Sequence, residues 1–193
     1  MRQTILLAAV MSAAVLAVGC SQQVSAPPPA AAPVSNYAND RAEIENLQAR
    51  YLFALDFNDG EAYADVFAPD GRLDWAGGVI LGRDQILKET QEMRDRFGTG
   101  THKEKPVLRH FITNNVIEVR GDIAYGRAYW FEFYNDVPEG QPPIAQAYGS
   151  SEDEYRKIDG KWYFTMRKIK NEMMSDRLAG DVNPIRDLDR LAQ

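Results

Sequence analysis

Cysteine and histidine are the scarcest chemically reactive residues in this chain of 193 residues. With one cysteine and two histidines, it lacks the residues for an internal disulfide, a thiolate metal cluster or a histidine-rich metal site. It also has no glycine-rich phosphate loop. Its 28 acidic residues outnumber 22 basic ones, the formal net charge is −6, and no long stretch is strongly basic. We therefore expect no metal, no nucleotide cofactor and no nucleic-acid partner.

The lone cysteine, Cys20, follows a short apolar leader. Arg2 supplies a positive charge, residues 5–18 are apolar, and a Leu-Ala-Val-Gly-Cys stretch ends the run at Cys20. This pattern resembles a bacterial lipobox and predicts removal of residues 1–19 as a signal peptide, with lipid attached to Cys20. A simple secretory signal with a chance cysteine, or a weak membrane anchor, is the alternative.

Residues 20–37 carry no charge and include four of the ten prolines. A Pro-Pro-Pro run favours extended backbone, so the segment is predicted to be a tether between a membrane and a folded domain. Ser21 stands where an aspartate would retain the lipoprotein in the inner membrane in enterobacterial-type sorting. We therefore expect attachment to the outer membrane, facing the periplasm, through the lipid anchor only.

Three helices are predicted before the long strands. Asn39 or Asp40 is the expected cap of the first, and its apolar residues recur every three or four positions up to Leu55. A short second helix follows. Residues 72–75 are predicted to form a short strand, and a third helix is predicted to begin at a cap near Asp84.

Four long segments with alternating polarity follow, separated by turn residues. They are predicted to be strands over 108–119, 123–134, 144–158 and 161–169. Helices followed by consecutive antiparallel strands indicate an α+β fold, in which a cone-shaped, curved antiparallel sheet is closed by three N-terminal helices around a pocket.

The folded part is expected to be a single domain over residues 38–171. The hydrophobic pattern fades beyond it, so residues 172–193 are expected to form a loosely docked C-terminal tail.

His110 and Asp56 are the candidate catalytic residues. His110 lies in the first long strand among apolar neighbours, and Asp56 follows the apolar stripe of the first helix, where it would face the mouth of the cone. An imidazole that titrates near neutrality and a carboxylate that fixes its tautomer form a general acid–base pair. A core histidine bonded to a local group is the alternative. The other histidine, His102, lies in a polar loop and is expected to be exposed and inert.

A small, largely apolar molecule is the expected ligand, because aromatic residues are predicted around this pair. Small residues share one strand face with Trp130 and Glu132, which leaves space for a pocket. Glu132 is also expected to assist His110. The predicted substrate-binding residues are Tyr51, Trp75, Trp130, Glu132 and Tyr148, although core packing is an equally good account of Tyr51.

Several motifs, in order along the chain, resemble the SnoaL-like domains of the nuclear transport factor 2-like superfamily. They are the helix over 44–56, Phe-Ala-Pro-Asp-Gly-Arg-Leu-Asp-Trp ending at Trp75, residues 82–86, Arg-His-Phe-Ile around His110, and Tyr-Arg-Lys-Ile-Asp-Gly-Lys-Trp-Tyr over 155–163. The resemblance covers about residues 39–171. It implies a cone-shaped α+β barrel with a deep pocket, commonly dimeric through the outer face of the sheet.

Within that superfamily the scytalone dehydratase type is the most similar catalytic branch. Its helix-ending aspartate matches Asp56, and its His-Phe-Ile matches the sequence that begins at His110. Two of its tyrosines are replaced by Leu55 and Trp75, and its second histidine aligns near Glu132.

The superfamily contains both enzymes and binding proteins, so two functions are open. The first is a cofactor-free lyase or isomerase that uses the Asp–His pair on a small hydrophobic substrate. The second is a non-catalytic, periplasm-facing lipoprotein that binds a small hydrophobic ligand or a protein partner.

Overall fold

The computed structural model describes residues 36–97 and 107–191. The predicted leader, the lipidation site Cys20, the tether up to residue 35 and His102 lie outside these ranges. The predictions made for them therefore stay predictions, as do the domain boundaries. Within the described ranges, no helix combines the length and the apolar character needed to cross a membrane.

The three predicted helices and five predicted strands occur in the predicted order, and the structure adds a short strand before the third helix and a short helix near the C-terminus. The helices are α1 (Tyr37–Asp56), α2 (Gly60–Asp65), α3 (Arg83–Phe97) and α4 (Ile185–Leu191), and the strands are β1 (Phe67–Trp75), β2 (Gly78–Leu81), β3 (Leu108–Arg120), β4 (Ile123–Tyr134), β5 (Ile144–Ile158) and β6 (Lys161–Ile169). The four long strands begin and end within one residue of their predicted limits.

The six strands form one sheet in the order β2-β1-β6-β5-β4-β3. Neighbouring strands are antiparallel except β1 and β6, which run parallel to each other. The first three helices lie before the long strands, and α1 packs on β3 and β6. The predicted α+β class with a curved sheet and N-terminal helices is confirmed.

The hydrophobic core lies between the concave face of the sheet and α1, α2 and α3. Its fully buried members include Ile44 on α1, Phe67 and Leu73 on β1, Ile86 on α3 and Phe164 on β6. Burial of this apolar surface is the main force that holds the helices against the sheet.

The start of α1 differs from the prediction. The helix begins at Tyr37 after Asn36, whose side chain makes no capping hydrogen bond. Asp40 is instead a buried residue of the first turn, where it accepts hydrogen bonds from Lys157 Nζ at 2.5 Å and Trp162 Nε1 at 3.0 Å. A carboxylate here also suits the positive end of the helix dipole.

Candidate functional site

The site begins where α1 ends. Asp56, the last residue of that helix, is buried, and its carboxylate accepts the backbone N–H of His110 through both oxygens, at 3.1 and 3.0 Å. His110 Nδ1–H also donates to Asp56 Oδ1 at 2.5 Å. A carboxylate is unfavourable at the C-terminal end of a helix, so these donors offset a local electrostatic cost. The predicted Asp–His contact is therefore present in the structure.

A second carboxylate contacts the other side of the same imidazole. His110 on β3 and Glu132 on β4 are directly opposite each other in the antiparallel ladder. His110 Nε2 lies 2.8 Å from Glu132 Oε2. Both ring nitrogens of His110 are thus held by carboxylates, one from a helix and one from the neighbouring strand.

The two carboxylates determine the protonation state of His110. Burial by itself lowers the pKa of the imidazole, because it disfavours the charged form. The hydrogen bonds to Asp56 and Glu132, together with their charges, outweigh burial and raise the His110 pKa to about 9. At neutral pH the ring is therefore an imidazolium that donates both of its N–H groups.

These three residues line a cavity of about 500 Å³ whose walls are mostly apolar and aromatic. Tyr51, Trp75 and Trp130, predicted to bind substrate, line it as well. The Trp130 ring centroid lies 6.4 Å from that of His110, while its Nε1–H donates to the Lys170 carbonyl oxygen at 3.0 Å. The remaining lining residues are Leu52, Ala54, Leu55, Asn58, Tyr63, Ala76, Thr90, Val107, Leu108, Tyr134, Gln146, Arg167, Ile169 and Asn171.

Tyr148, the fifth residue predicted to bind substrate, does not line this cavity. The pairing of β4 with β5 shifts beside Glu132, where a bulge leaves Gln146 as an extra residue. Tyr148 lies in the unbroken register beyond this bulge, where its neighbour Ala147 is opposite Glu132. Simple alternation therefore places Tyr148 on the outer face, opposite Phe131, where it is 56% exposed. Its assignment to the pocket is therefore corrected, and Gln146 is the β5 residue that reaches the cavity.

Sequence reasoning missed a polar network behind the aromatic wall. Arg167 on β6 is buried, donates to Asp153 Oδ2 at 3.0 Å and lies over the Tyr51 ring, with its guanidinium carbon 4.3 Å from the ring centroid. The Tyr51 and Tyr63 hydroxyls are 2.8 Å apart. Burial raises the pKa of Tyr51, which keeps its hydroxyl neutral. The sequence signal for this network was the presence of charged residues, Asp153 on β5 and Arg167 on β6, at strand positions that face the core.

A metal site is not formed by the described residues. Among them, no group of three or more His, Cys, Asp or Glu side chains is arranged to hold an ion. The polar groups of the cavity instead make an ionic chain of Asp56, His110 and Glu132. Such a chain can hold, give up or accept a proton beside a bound apolar molecule.

Proteins with the same fold are known from solved structures. A protein of unknown function with a cystatin-like fold from Nostoc punctiforme is 30% identical, with a TM-score of 0.60, covering 70% of this chain and 92% of that one. A protein of unknown function from Mycobacterium tuberculosis is 27% identical, with a TM-score of 0.61, covering 80% of this chain and 84% of that one. A candidate scytalone dehydratase from Novosphingobium aromaticivorans is 24% identical, with a TM-score of 0.57, covering 78% of this chain and 95% of that one. This last likeness shows the fold alone.

No curated protein matches the chain. The family of SnoaL-like domains matches residues 36–168, which include all six strands as far as Lys168 and every residue of the Asp–His–Glu chain. The match agrees with the ordered motifs in the sequence and with the helix-then-strand architecture. This protein therefore belongs to the SnoaL-like domain family of the nuclear transport factor 2-like superfamily.

Proposed function

We propose that this protein is a cofactor-free lyase or isomerase that moves a proton on a small hydrophobic molecule, with Asp56 and His110 as its acid–base pair. The observation that carries the proposal is the 2.5 Å contact of Asp56 Oδ1 with His110 Nδ1 on the wall of a largely apolar cavity. Buried titratable groups paired in a cavity are frequent at catalytic sites.

The free energy needed to bury these two ionic side chains supports a functional role for the pair. Asp56 and His110 place ionic groups against apolar surface, which stabilises a fold less than a well-packed hydrophobic contact does. The side chains are only 6% and 9% exposed, so neither group is a solvated surface charge. The cavity beside them has room for a small molecule such as a bicyclic ketone.

The structural neighbours indicate which reaction to test first. The protein from Novosphingobium aromaticivorans is named for scytalone dehydratase, and a dehydration is an elimination that begins or ends with a proton transfer. His110, as an imidazolium at neutral pH, is a proton donor in the resting protein. A reaction that needs only proton movement uses no cofactor, which fits the residues in the cavity.

The proposal is tested by hydrogen exchange on β-tetralone, a small apolar ketone with acidic C–H bonds. The protein is incubated with it in deuterated buffer, and loss of the C–H signal is followed by proton NMR. Asp56→Asn and His110→Gln are each expected to slow exchange by about tenfold or more. The double variant should lose little beyond either single one, because the two residues act as a unit.

Glu118→Gln is the matched control, because it removes an exposed carboxylate from β3 outside the cavity. It should exchange the ketone at the wild-type rate. If the ketone quenches tryptophan fluorescence, and therefore binds, but exchanges equally in every variant, the protein is the binding lipoprotein and not an enzyme.

We also propose that the mature protein is anchored by lipid at Cys20 in the outer membrane and faces the periplasm. The apolar leader and the Leu-Ala-Val-Gly-Cys stretch support this location. Growth with a labelled fatty acid should tag the wild-type protein, and Cys20→Ala should abolish the tag. Soluble mature protein with an unmodified cysteine would contradict the proposal.

A homodimer is the proposed assembly, formed through the outer face of the sheet. Phe111, Phe131 and Tyr148 lie side by side on β3, β4 and β5, and the Phe111 and Phe131 rings stack with centroids 5.3 Å apart. Phe111 is 47% exposed. Phe131, between Phe111 and Tyr148, is half-buried, and Tyr148 is 56% exposed. A row of aromatic rings with exposed members on a sheet face is typical of a surface that is covered by another protein.

A further inference from the structure

We propose that Glu132 is the residue that exchanges a proton with the substrate, and that His110 is a positioning residue held between Glu132 and Asp56. This inference rests on the proposed proton-transfer function in the same cavity, but it gives the exchange of the proton to Glu132 and leaves Asp56 and His110 to orient that carboxylate. It differs from the simple Asp–His pair, in which one ring nitrogen of the histidine would face the substrate.

The geometry of His110 argues against direct contact between its ring nitrogens and a substrate. Nδ1 is bonded to Asp56 at 2.5 Å and Nε2 is 2.8 Å from Glu132. A doubly hydrogen-bonded imidazolium has no lone pair with which to accept a proton. To act as a base, His110 would first have to lose a proton and break one of these contacts.

Glu132, in contrast to His110, has a polar atom that is available to a bound molecule. Its side chain is 18% exposed, which is twice the exposed fraction of His110, and it lines the cavity. It contacts the imidazole through Oε2, which leaves Oε1 for a bound molecule; within the described residues no hydrogen bond to Oε1 is formed. Trp130, two residues earlier on the same strand face, provides an adjacent apolar wall.

The neighbouring imidazolium stabilises the negative charge of a carboxylate base in an apolar cavity. An isolated anion would be strongly disfavoured there, whereas a charge-assisted hydrogen bond from His110 compensates it and fixes its orientation. Asp56 holds the ring through Nδ1 and the backbone N–H, so the imidazolium cannot turn away from Glu132. The same contacts give the helix-end aspartate a positioning role in this proposal.

The proposed step balances without a co-reactant. Glu132 Oε1 accepts a proton from a substrate carbon, and the electron pair of that C–H bond becomes part of a new π bond. In an elimination, the leaving group departs with its bonding electrons and the carboxyl group later returns the proton to water. In an isomerisation, Glu132 returns the proton to a different carbon. The substrate class is thus a small apolar molecule with a C–H bond next to an electron-withdrawing group.

The test uses ring opening of a nitrobenzisoxazole, an apolar bicyclic probe. A base removes its single acidic C–H proton, the electron pair forms a nitrile, the N–O bond breaks, and a coloured phenolate is released. Glu132→Gln should lower the rate by about 10²–10⁴-fold, as expected for loss of a general base. His110→Gln keeps the carboxylate and should lower it only about tenfold. Glu118→Gln serves as the exposed-carboxylate control.

The pH profile gives an independent readout. The other titratable groups that line the cavity are Tyr51 and Asp56 from α1, Tyr63 from α2, His110 from β3, Tyr134 from β4 and Arg167 from β6. Proton removal by Glu132 beside a charged imidazolium is expected to give a rate that changes little from about pH 6.5 to 8, because His110, with a pKa of about 9, keeps its proton over that range. A His110 base would instead give a rate that rises about tenfold per pH unit until its pKa of about 9.

Chemical rescue separates a catalytic role from a structural one. Adding formate to Glu132→Ala should restore part of the ring opening, because the small carboxylate can occupy the emptied position. A fast Glu132→Gln variant combined with a rate that climbs toward pH 9 would overturn the inference and leave the proposed function intact. Wild-type protein that neither opens the probe nor exchanges β-tetralone would overturn both.

Discussion

His110 is the residue on which the chemistry of the cavity depends, and its charge is set by its two neighbours. Asp56 contacts it from the helix and Glu132 from the adjacent strand. Both stabilise the imidazolium, and together they outweigh the opposing effect of burial. The protonation state of this one ring is therefore a direct report on whether the two carboxylates are in place.

Replacing either carboxylate by its amide should lower the pKa of His110. In Asp56→Asn the shape is kept but the negative charge that favours the imidazolium is lost, so the value should fall well below the wild-type value of about 9. Glu132→Gln should lower it as well. With only two histidines in the chain, an NMR titration assigns the signal directly. Titration of His110 at the same pH in wild type and Asp56→Asn would rule out the contact.

The raised pKa also makes stability depend on pH in a defined direction. The folded-state pKa of His110, about 9, lies above its unfolded value of about 6.5, so the folded protein binds the proton more tightly. This contribution is complete below about pH 6.5 and is lost as the pH rises through 9. Its size is on the order of 3 kcal/mol. Urea unfolding at several pH values should show wild type losing stability over that window more than His110→Gln does.

At the scale of elements, two irregularities in strands determine what faces the cavity. Asn114 adopts a positive φ of 52°, and the pairing of β3 with β4 shifts between Thr113 and Val116. After this bulge, Ile117 is buried in the core, although simple alternation from His110 would point it outward. The bulge on β5 has a comparable effect, because Gln146 lines the cavity although simple alternation from Ala147, opposite Glu132, would point it outward.

The junction of β5 with the segment after β6 is expected to be intolerant of added volume. A Cβ placed on Gly149 would lie 2.1 Å from the Lys170 carbonyl oxygen, which is the acceptor for Trp130 Nε1. Gly149→Ala should therefore displace residues 170–171 beside the cavity and cost about 1–3 kcal/mol in urea unfolding. Gly60→Ala is the matched control, because its nearest neighbours would be 3.6 Å away. Equal stability of both variants would contradict this packing.

At the scale of the whole molecule, the exposed aromatic face and the cavity lie on opposite sides of one sheet. Strand alternation produces this arrangement, since Trp130 and Glu132 point inward while Phe131 points outward. The proposed dimer could thus form without covering the cavity residues of β4. Function and assembly would then be supported by the two faces of a single strand.

Tyr148→Glu is expected to weaken the proposed dimer, because it puts a charge into an apolar contact surface. Sedimentation velocity should show wild-type protein as a dimer and the variant shifted toward monomer at the same concentration. Phe53→Glu, at an exposed aromatic position on α1 and not on the sheet, is the control and should remain dimeric. A wild-type monomer at all concentrations would contradict the assembly.

The α+β class, the four long strands and the pairing of Asp56 with His110 could be predicted from the sequence, because they depend on local period, turn residues and one set of matching motifs. The hairpin at Asp159 and Gly160 is an example, since both adopt the positive φ that such a two-residue turn requires. The resemblance to SnoaL-like domains was readable for the same reason and is confirmed by the family match.

Only the tertiary structure decided how the side chains meet. The contact of Asp40 with Lys157 joins residues far apart along the chain, and the buried pair of Asp153 and Arg167 depends on the register of β5 against β6. The entry of Gln146 into the cavity depends on a bulge in the pairing of two strands. Local sequence specifies the period of a strand, but register shifts and long-range ionic contacts arise from packing the whole sheet around its helices.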